Sequence, residues 1–103
     1  MVHRLVVSYG QPADPAAFDA HYRDTHAPLA RQMPGLVRYT YGHPRTLDPE
    51  QPAPYLVAEL DFDSEKAMGE AFRSPEGQAA SADVPTFASG GATMTSFDVL
   101  TVS

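Results

Sequence analysis

The residue of this chain best suited by type and place to move a proton is His26, which stands where a helical pattern meets a proline. An imidazole titrates near neutrality, so it can take and return a proton without an extreme environment. Around it, the run DPAAFDAHYRDTHAPLARQMPG (Asp14 to Gly35) writes a helix and its end. Asp14 is a good N-cap, and Pro15 fits the first helical position, where a missing N–H costs nothing. Phe18, Tyr22, Thr25 and Leu29 recur at helical spacing and mark the expected buried stripe. Pro28 cannot donate to the carbonyl of Asp24 and pushes Ala27 away from α geometry, so a break is expected at His26. Freed carbonyls and the negative end of the dipole would orient the ring there and favour its protonated form. Two readings stand: a proton-transfer group facing the space between helix and sheet, or a structural imidazole that locks the following turn.

Other side chains could join it. Tyr22, Tyr39 and Tyr41 offer ring surface and a hydroxyl donor to a pocket, or they are ordinary core. Glu59 stands on the strand face opposite Leu56, Ala58, Leu60 and Phe62. It could orient His26 or act as a second acid/base, or it could form a cross-strand or interface ion pair. Asp61 reads as a solvated edge charge. His21 precedes His26 by five residues, about 140° around an α-helix. That is poor spacing for a shared metal, so His21 is expected to face solvent or an interface. His3 falls in a strand and His43 in a loop, and no metal site is expected. There is no G-x-G-x-x-G, Walker or G-x-S-x-G sequence, so no cofactor is expected either.

The elements that must place these residues follow from pattern. Residues 2–9, Leu36 to Tyr41, Tyr55 to Phe62 and Ala92 to Val102 read as strands. The first helix runs from Asp14 to about Arg31. Asp63 or Ser64 caps a second, burying Ala67, Met68, Ala71 and Phe72. Ser74-Pro75-Glu76 starts a short additional helix to about Ser81. Residues 42–54 hold four prolines and read as a surface loop. Residues 82–91 read as a second loop. The order β-α-β-β-α-β predicts an α+β, ferredoxin-like domain spanning 1–103, with a four-stranded antiparallel sheet. Both faces of the expected strands carry apolar residues: in the last, Phe97 and Val99 lie on one face, Met94, Leu100 and Val102 on the other. An apolar sheet face free of helices predicts a partner.

The string FDAHYRDTHAPLA followed by MPGL resembles the EthD family, named for ethyl tert-butyl ether degradation. His26, Pro28, Leu29, Pro34 and Gly35 match its pattern. The resemblance implies a homodimer packed sheet to sheet as a dimeric α/β barrel. It also implies that His26 lies at or near a pocket.

Composition narrows the partners. A net charge of −6 with scattered Lys and Arg argues against nucleic acid. No apolar run approaches a membrane span, no signal peptide is recognisable, and the absence of cysteine fits a cytoplasmic protein. With His26 as the proton carrier, the resemblance implies a small cofactor-independent enzyme, of isomerase or oxygenase type, acting on a hydrophobic ring or lactone-like molecule. The alternative is a non-catalytic protein that binds a small apolar molecule or serves a catabolic pathway.

Overall fold

Strict alternation of apolar and polar residues decides which way the sheet faces. In the computed structural model, which describes residues 1–103, β1 (His3–Tyr9) buries every second residue: His3, Leu5, Val7 and Tyr9. β3 (Leu56–Phe62) buries Leu56, Ala58, Leu60 and Phe62 in the same way. The two pair antiparallel, with Leu5 opposite Leu60 and Val7 opposite Ala58. β2 (Arg38–Gly42) adds to the outer edge of β3, and β4 (Ala92–Asp98) to the far side of β1. The resulting order β2-β3-β1-β4, with helices after β1 and β3, is the ferredoxin-like α+β arrangement. The core lies between the helices and the inner face of β1 and β3.

Capping sets the helix starts. The Asp14 carboxylate accepts from the Ala17 N–H at 3.1 Å ahead of α1 (Pro15–His21). Ser64 does the same for Ala67 at 3.0 Å, opening α3 (Glu65–Arg73). Ser74 ends α3, and its hydroxyl also accepts from Gly77 to open α4 (Pro75–Phe87). Gly77 is required there, because a Cβ would run into the backbone of Ala71 and Phe72. No helix is long and apolar enough to cross a membrane.

Three sequence expectations change. First, the chain does not leave helical geometry at Pro28. Ala27 is right-handed helical, with φ −60° and ψ −43°. Residues Tyr22–His26 form a π turn that runs straight into α2 (Ala27–Ala30), and the Ala27 N–H reaches back to the Tyr22 carbonyl. A wider i→i+5 turn absorbs the missing proline donor without stopping the helix. A π turn acts as a one-residue insertion, so the buried stripe slips by one. Phe18 and Tyr22 are followed inward by His26 and Ala30, while Thr25 is exposed and Leu29 only half-buried.

Second, α4 runs to Phe87, six residues past its expected end. Ala80, Val84 and Phe87 face the core at helical spacing, and that burial outweighs the hydrogen bond lost at Pro85.

Third, β4 stops at Asp98, leaving Leu100 and Val102 beyond the strand and exposed. Met94 sits opposite Val7 on the helix-facing side, while Phe97 lies opposite Arg4 on the outer face. That outer face mixes Val6, Val57 and Phe97 with Arg4, Thr40 and Glu59, so it is more polar than the strand pattern implied. Asp61 is not solvated: it is buried and held by Arg4 through two hydrogen bonds of 2.7 and 3.1 Å. Those bonds keep its carboxyl below the usual range against the opposing effect of burial, with Arg38 contributing.

Candidate active site

The slipped stripe turns His26 into the core. The residue is 5% exposed, and its Nδ1 lies 3.0 Å from Oδ2 of Asp83 on α4. A carboxylate only accepts, so Nδ1 carries the proton and Nε2 keeps its lone pair. Nε2 has no hydrogen-bond partner within the protein and, unlike the Nε2 of His3, is not sealed away from solvent. Burial lowers the His26 pKa below its ordinary 6.5, more than the hydrogen bond to Asp83 and its charge raise it. The ring is therefore a neutral base at pH 7. Neither a freed carbonyl nor a protonated ring, both expected from sequence, describes the site.

Asp83 serves two histidines. Its oxygens also accept from His21 Nε2 at 2.9 and 3.0 Å, and from the Thr86 hydroxyl at 3.1 Å. Burial opposes the charge on Asp83, but these three partners together outweigh it and hold its pKa below 3.8. The π turn makes the arrangement possible. In an α-helix residues five apart diverge, whereas i→i+5 bonding stacks them, so His21 and His26 reach one carboxylate. Phe87 packs beside both rings, with centroids 5.0 Å from His21 and 4.8 Å from His26. No cluster of three His, Asp or Glu side chains is disposed to hold a metal ion.

His26 lines a cavity of about 30 Å³ beneath the sheet, walled mainly by apolar side chains including Leu5, Val7, Met33, Leu60 and Val84. Tyr22 and Tyr39 supply polar atoms, their hydroxyls 2.6 Å apart. Burial raises both phenols, Tyr39 to about 12, where the hydrogen bond from Tyr22 partly offsets it. Both therefore remain donors at neutral pH. Either hydroxyl can donate in this pair, and the one that accepts keeps its own proton for another acceptor. Met94, half-exposed on β4, also lines the cavity and marks where it nears the surface.

The structure thus brings His26, Tyr22 and Tyr39 together. Tyr41 packs against the Tyr22 ring at 4.8 Å but lies outside the cavity and is half-exposed. Glu59 is on the outer sheet face, paired with Val6 and Thr40 across the strands, and the sheet separates it from His26. Asp83 fills the orienting role that was one of the two readings open to Glu59. Sequence reasoning missed Asp83 and Phe87 because both fall where a loop was expected; the signal was the i, i+4, i+7 spacing of Ala80, Val84 and Phe87.

A four-stranded antiparallel sheet with its helices on one face places the chain in the ferredoxin-like α+β class, with a carboxylate-held histidine at an apolar cavity. Within that class the chain belongs to the EthD domain family, which matches residues 10–91. It is similar to an 11.0 kDa protein from the thcB–thcC intergenic region of Rhodococcus erythropolis, with 48% identity over 101 residues and 98% of both chains covered. Among solved structures it resembles an EthD family protein from Bacillus halodurans, with 34% identity, a TM-score of 0.88, and 97% of this chain and 100% of that one covered. At 18% identity it shares its fold with SnoaB, a cofactor-independent oxygenase from Streptomyces nogalater, with a TM-score of 0.67 and 98% and 94% covered. A dimeric ferredoxin-like protein from Thermobifida fusca matches at 16% identity and a TM-score of 0.73, with 96% and 92% covered.

Proposed function

We propose that this chain is a small enzyme that needs no cofactor and transfers a proton on an apolar, carbonyl-bearing ring or lactone. The observation that carries the reading is the hydrogen bond from His26 Nδ1 to Asp83, which leaves Nε2 unpartnered on a ring that lines the cavity. Nε2 takes a proton from the carbon beside the substrate carbonyl, and the electron pair moves onto that carbonyl oxygen. Asp83 stabilises the imidazolium that forms, and the Tyr39 hydroxyl donates to the enolate oxygen. Returning a proton from Nε2, after exchange of the imidazolium with water, to a different carbon of the conjugated system isomerises the substrate with no net change in atoms. The same deprotonated ring is the species that reacts with dioxygen in an oxygenase, the activity named for the distantly similar SnoaB.

The working unit is proposed to be a homodimer through the outer sheet face. Exposed Phe97 and the dimeric Thermobifida fusca relative support that assembly. The cavity has room for about two waters. A ring needs more room than that, and the flexible side chains of Met33 and Met94 in the cavity wall can move to admit it.

The test follows α-angelica lactone, an unsaturated lactone whose double bond migrates by one proton transfer, in deuterated buffer. Accelerated migration with deuterium at the receiving carbon, lost in His26→Ala, is the expected result. Lactone that binds and returns unaltered would replace the catalytic reading with a binding one.

A further inference from the structure

The chain is acidic, with a net charge of −6, yet three of its seven cationic residues converge on one groove. Arg23, Arg31 and Arg38 border an open depression of about 800 Å³, with Gln32, Tyr39 and Tyr41 completing its polar and aromatic wall. It lies where the π turn and α2 face the start of β2. The three arginines are not equivalent. Arg23 is bound to Asp24 by hydrogen bonds of 2.8 and 3.0 Å, so its charge is already matched. Arg31 and Arg38 are in no ion pair, although acidic side chains outnumber basic ones in the chain. Asp61, the acid opposite Arg38 across the strands, is taken by Arg4. Two unmatched guanidinium groups in a concave site favour an anion that can accept in the plane of the fork.

Tyr39 connects this groove to the cavity. It lines both, and its hydroxyl is bonded to that of Tyr22, which lines the cavity. We propose that the groove binds the carboxylate of an apolar carboxylic acid, with Arg31 and Arg38 as its partners. The apolar portion extends past Tyr39 toward His26, a placement that rests on the cavity reading above. The substrate class narrows accordingly, from an apolar ring or lactone to one bearing a carboxylate a few bonds from the reacting carbon. Both arginines are exposed in the single chain, Arg38 at the β2 edge of the outer sheet face, so the carboxylate preference weakens as salt is added.

The experiment is an NMR titration of the full chain with phenylbutyrate and with phenylbutanol, its uncharged analogue. It is read at the side chains of Arg31 and Arg38 and at the His26 ring. Phenylbutyrate is expected to bind about tenfold more tightly than phenylbutanol, the scale of one charge-assisted hydrogen bond. The R31Q/R38Q double variant, altered only at exposed positions, should bind the two probes equally. Equal binding by the wild type, a preference that survives in the double variant, or no response to either probe would overturn the groove. Acetate binding as tightly as phenylbutyrate would overturn the link between carboxylate and apolar tail. Phenylbutanol shifting His26 with no carboxylate preference would overturn the groove and keep the cavity reading. An arginine-dependent response to phenylbutyrate that never reaches His26 would keep the groove and overturn the cavity reading.

Discussion

Two histidines of this chain are built almost alike, and only one of them borders a cavity. His3 and His26 are 4% and 5% exposed, and each sets its Nδ1 against a carboxylate, at 2.8 Å from Asp98 and 3.0 Å from Asp83. What differs lies at the two ends of each pair. The Nε2 of His3 is sealed in the protein with no partner, whereas His26 lines a cavity. Asp98 is largely exposed at the end of β4, whereas Asp83 is mostly buried and fixed by His21 and Thr86 as well. A histidine–carboxylate pair is therefore not a site in itself. The proposed role of His26 needs two more things: a cavity beside the ring and a carboxylate that cannot swing away.

Substitution at the two rings breaks the comparison most sharply. His26→Ala should lower turnover of a responsive substrate by about 10²–10⁴-fold, the usual contribution of general acid–base catalysis. His3→Ala should leave kcat within about twofold, because its ring faces no cavity, and should appear as lower stability in a urea titration. Next in size are the carboxylates. Asp83→Asn presents an amide that can donate to Nδ1 and so favours the wrong tautomer, at a cost on the order of a hundredfold or more in kcat. Asp98→Asn should be close to wild type in the same assay.

The pH profile sharpens the contrast further. His26 is the base only when neutral, and its pKa is depressed below 6.5, so kcat should stay level down to about that pH and fall below it. A protonated His21 disfavours charge on His26. His21→Gln, which can still donate to Asp83, should move the acid limb to higher pH with only a small change in the plateau.

The smallest effect is on stability. A histidine whose folded pKa is depressed contributes fully above its unfolded value of about 6.5, and that contribution is lost as pH falls through the window below it. The lowered carboxyls of Asp83 and Asp61 contribute above about 3.8 and lose their effect as pH falls further. Urea midpoints should therefore decline in two acid steps, and His26→Gln should remove the first.

The strands, the caps and the ferredoxin-like order were legible because alternation and Ser or Asp caps are local signals. Register then followed from Val7, Leu5, Leu60 and Ala58 meeting across one buried face. His26 was legible as a residue but not as an environment. The slip that buries it comes from a π turn, a tertiary accommodation of Pro28 with no signature in the α period. Asp83 was hidden because Pro85, two residues on, reads as a helix breaker, and only the burial of Val84 and Phe87 shows why the helix continues. Glu59 shows the reverse. Its strand face was read correctly from alternation, but that face points away from the helices that carry His26.

The central claim is that Asp83 fixes His26 as a neutral base with its lone pair on Nε2. The most direct measurement is a proton–nitrogen correlation spectrum of the imidazole rings near pH 7, with His26 assigned by comparison with His26→Gln. A protonated Nδ1 and a bare Nε2 on His26, exchanged for the opposite tautomer in Asp83→Asn, is the predicted result. A proton on Nε2 in the wild type, or a fully protonated ring, would contradict it.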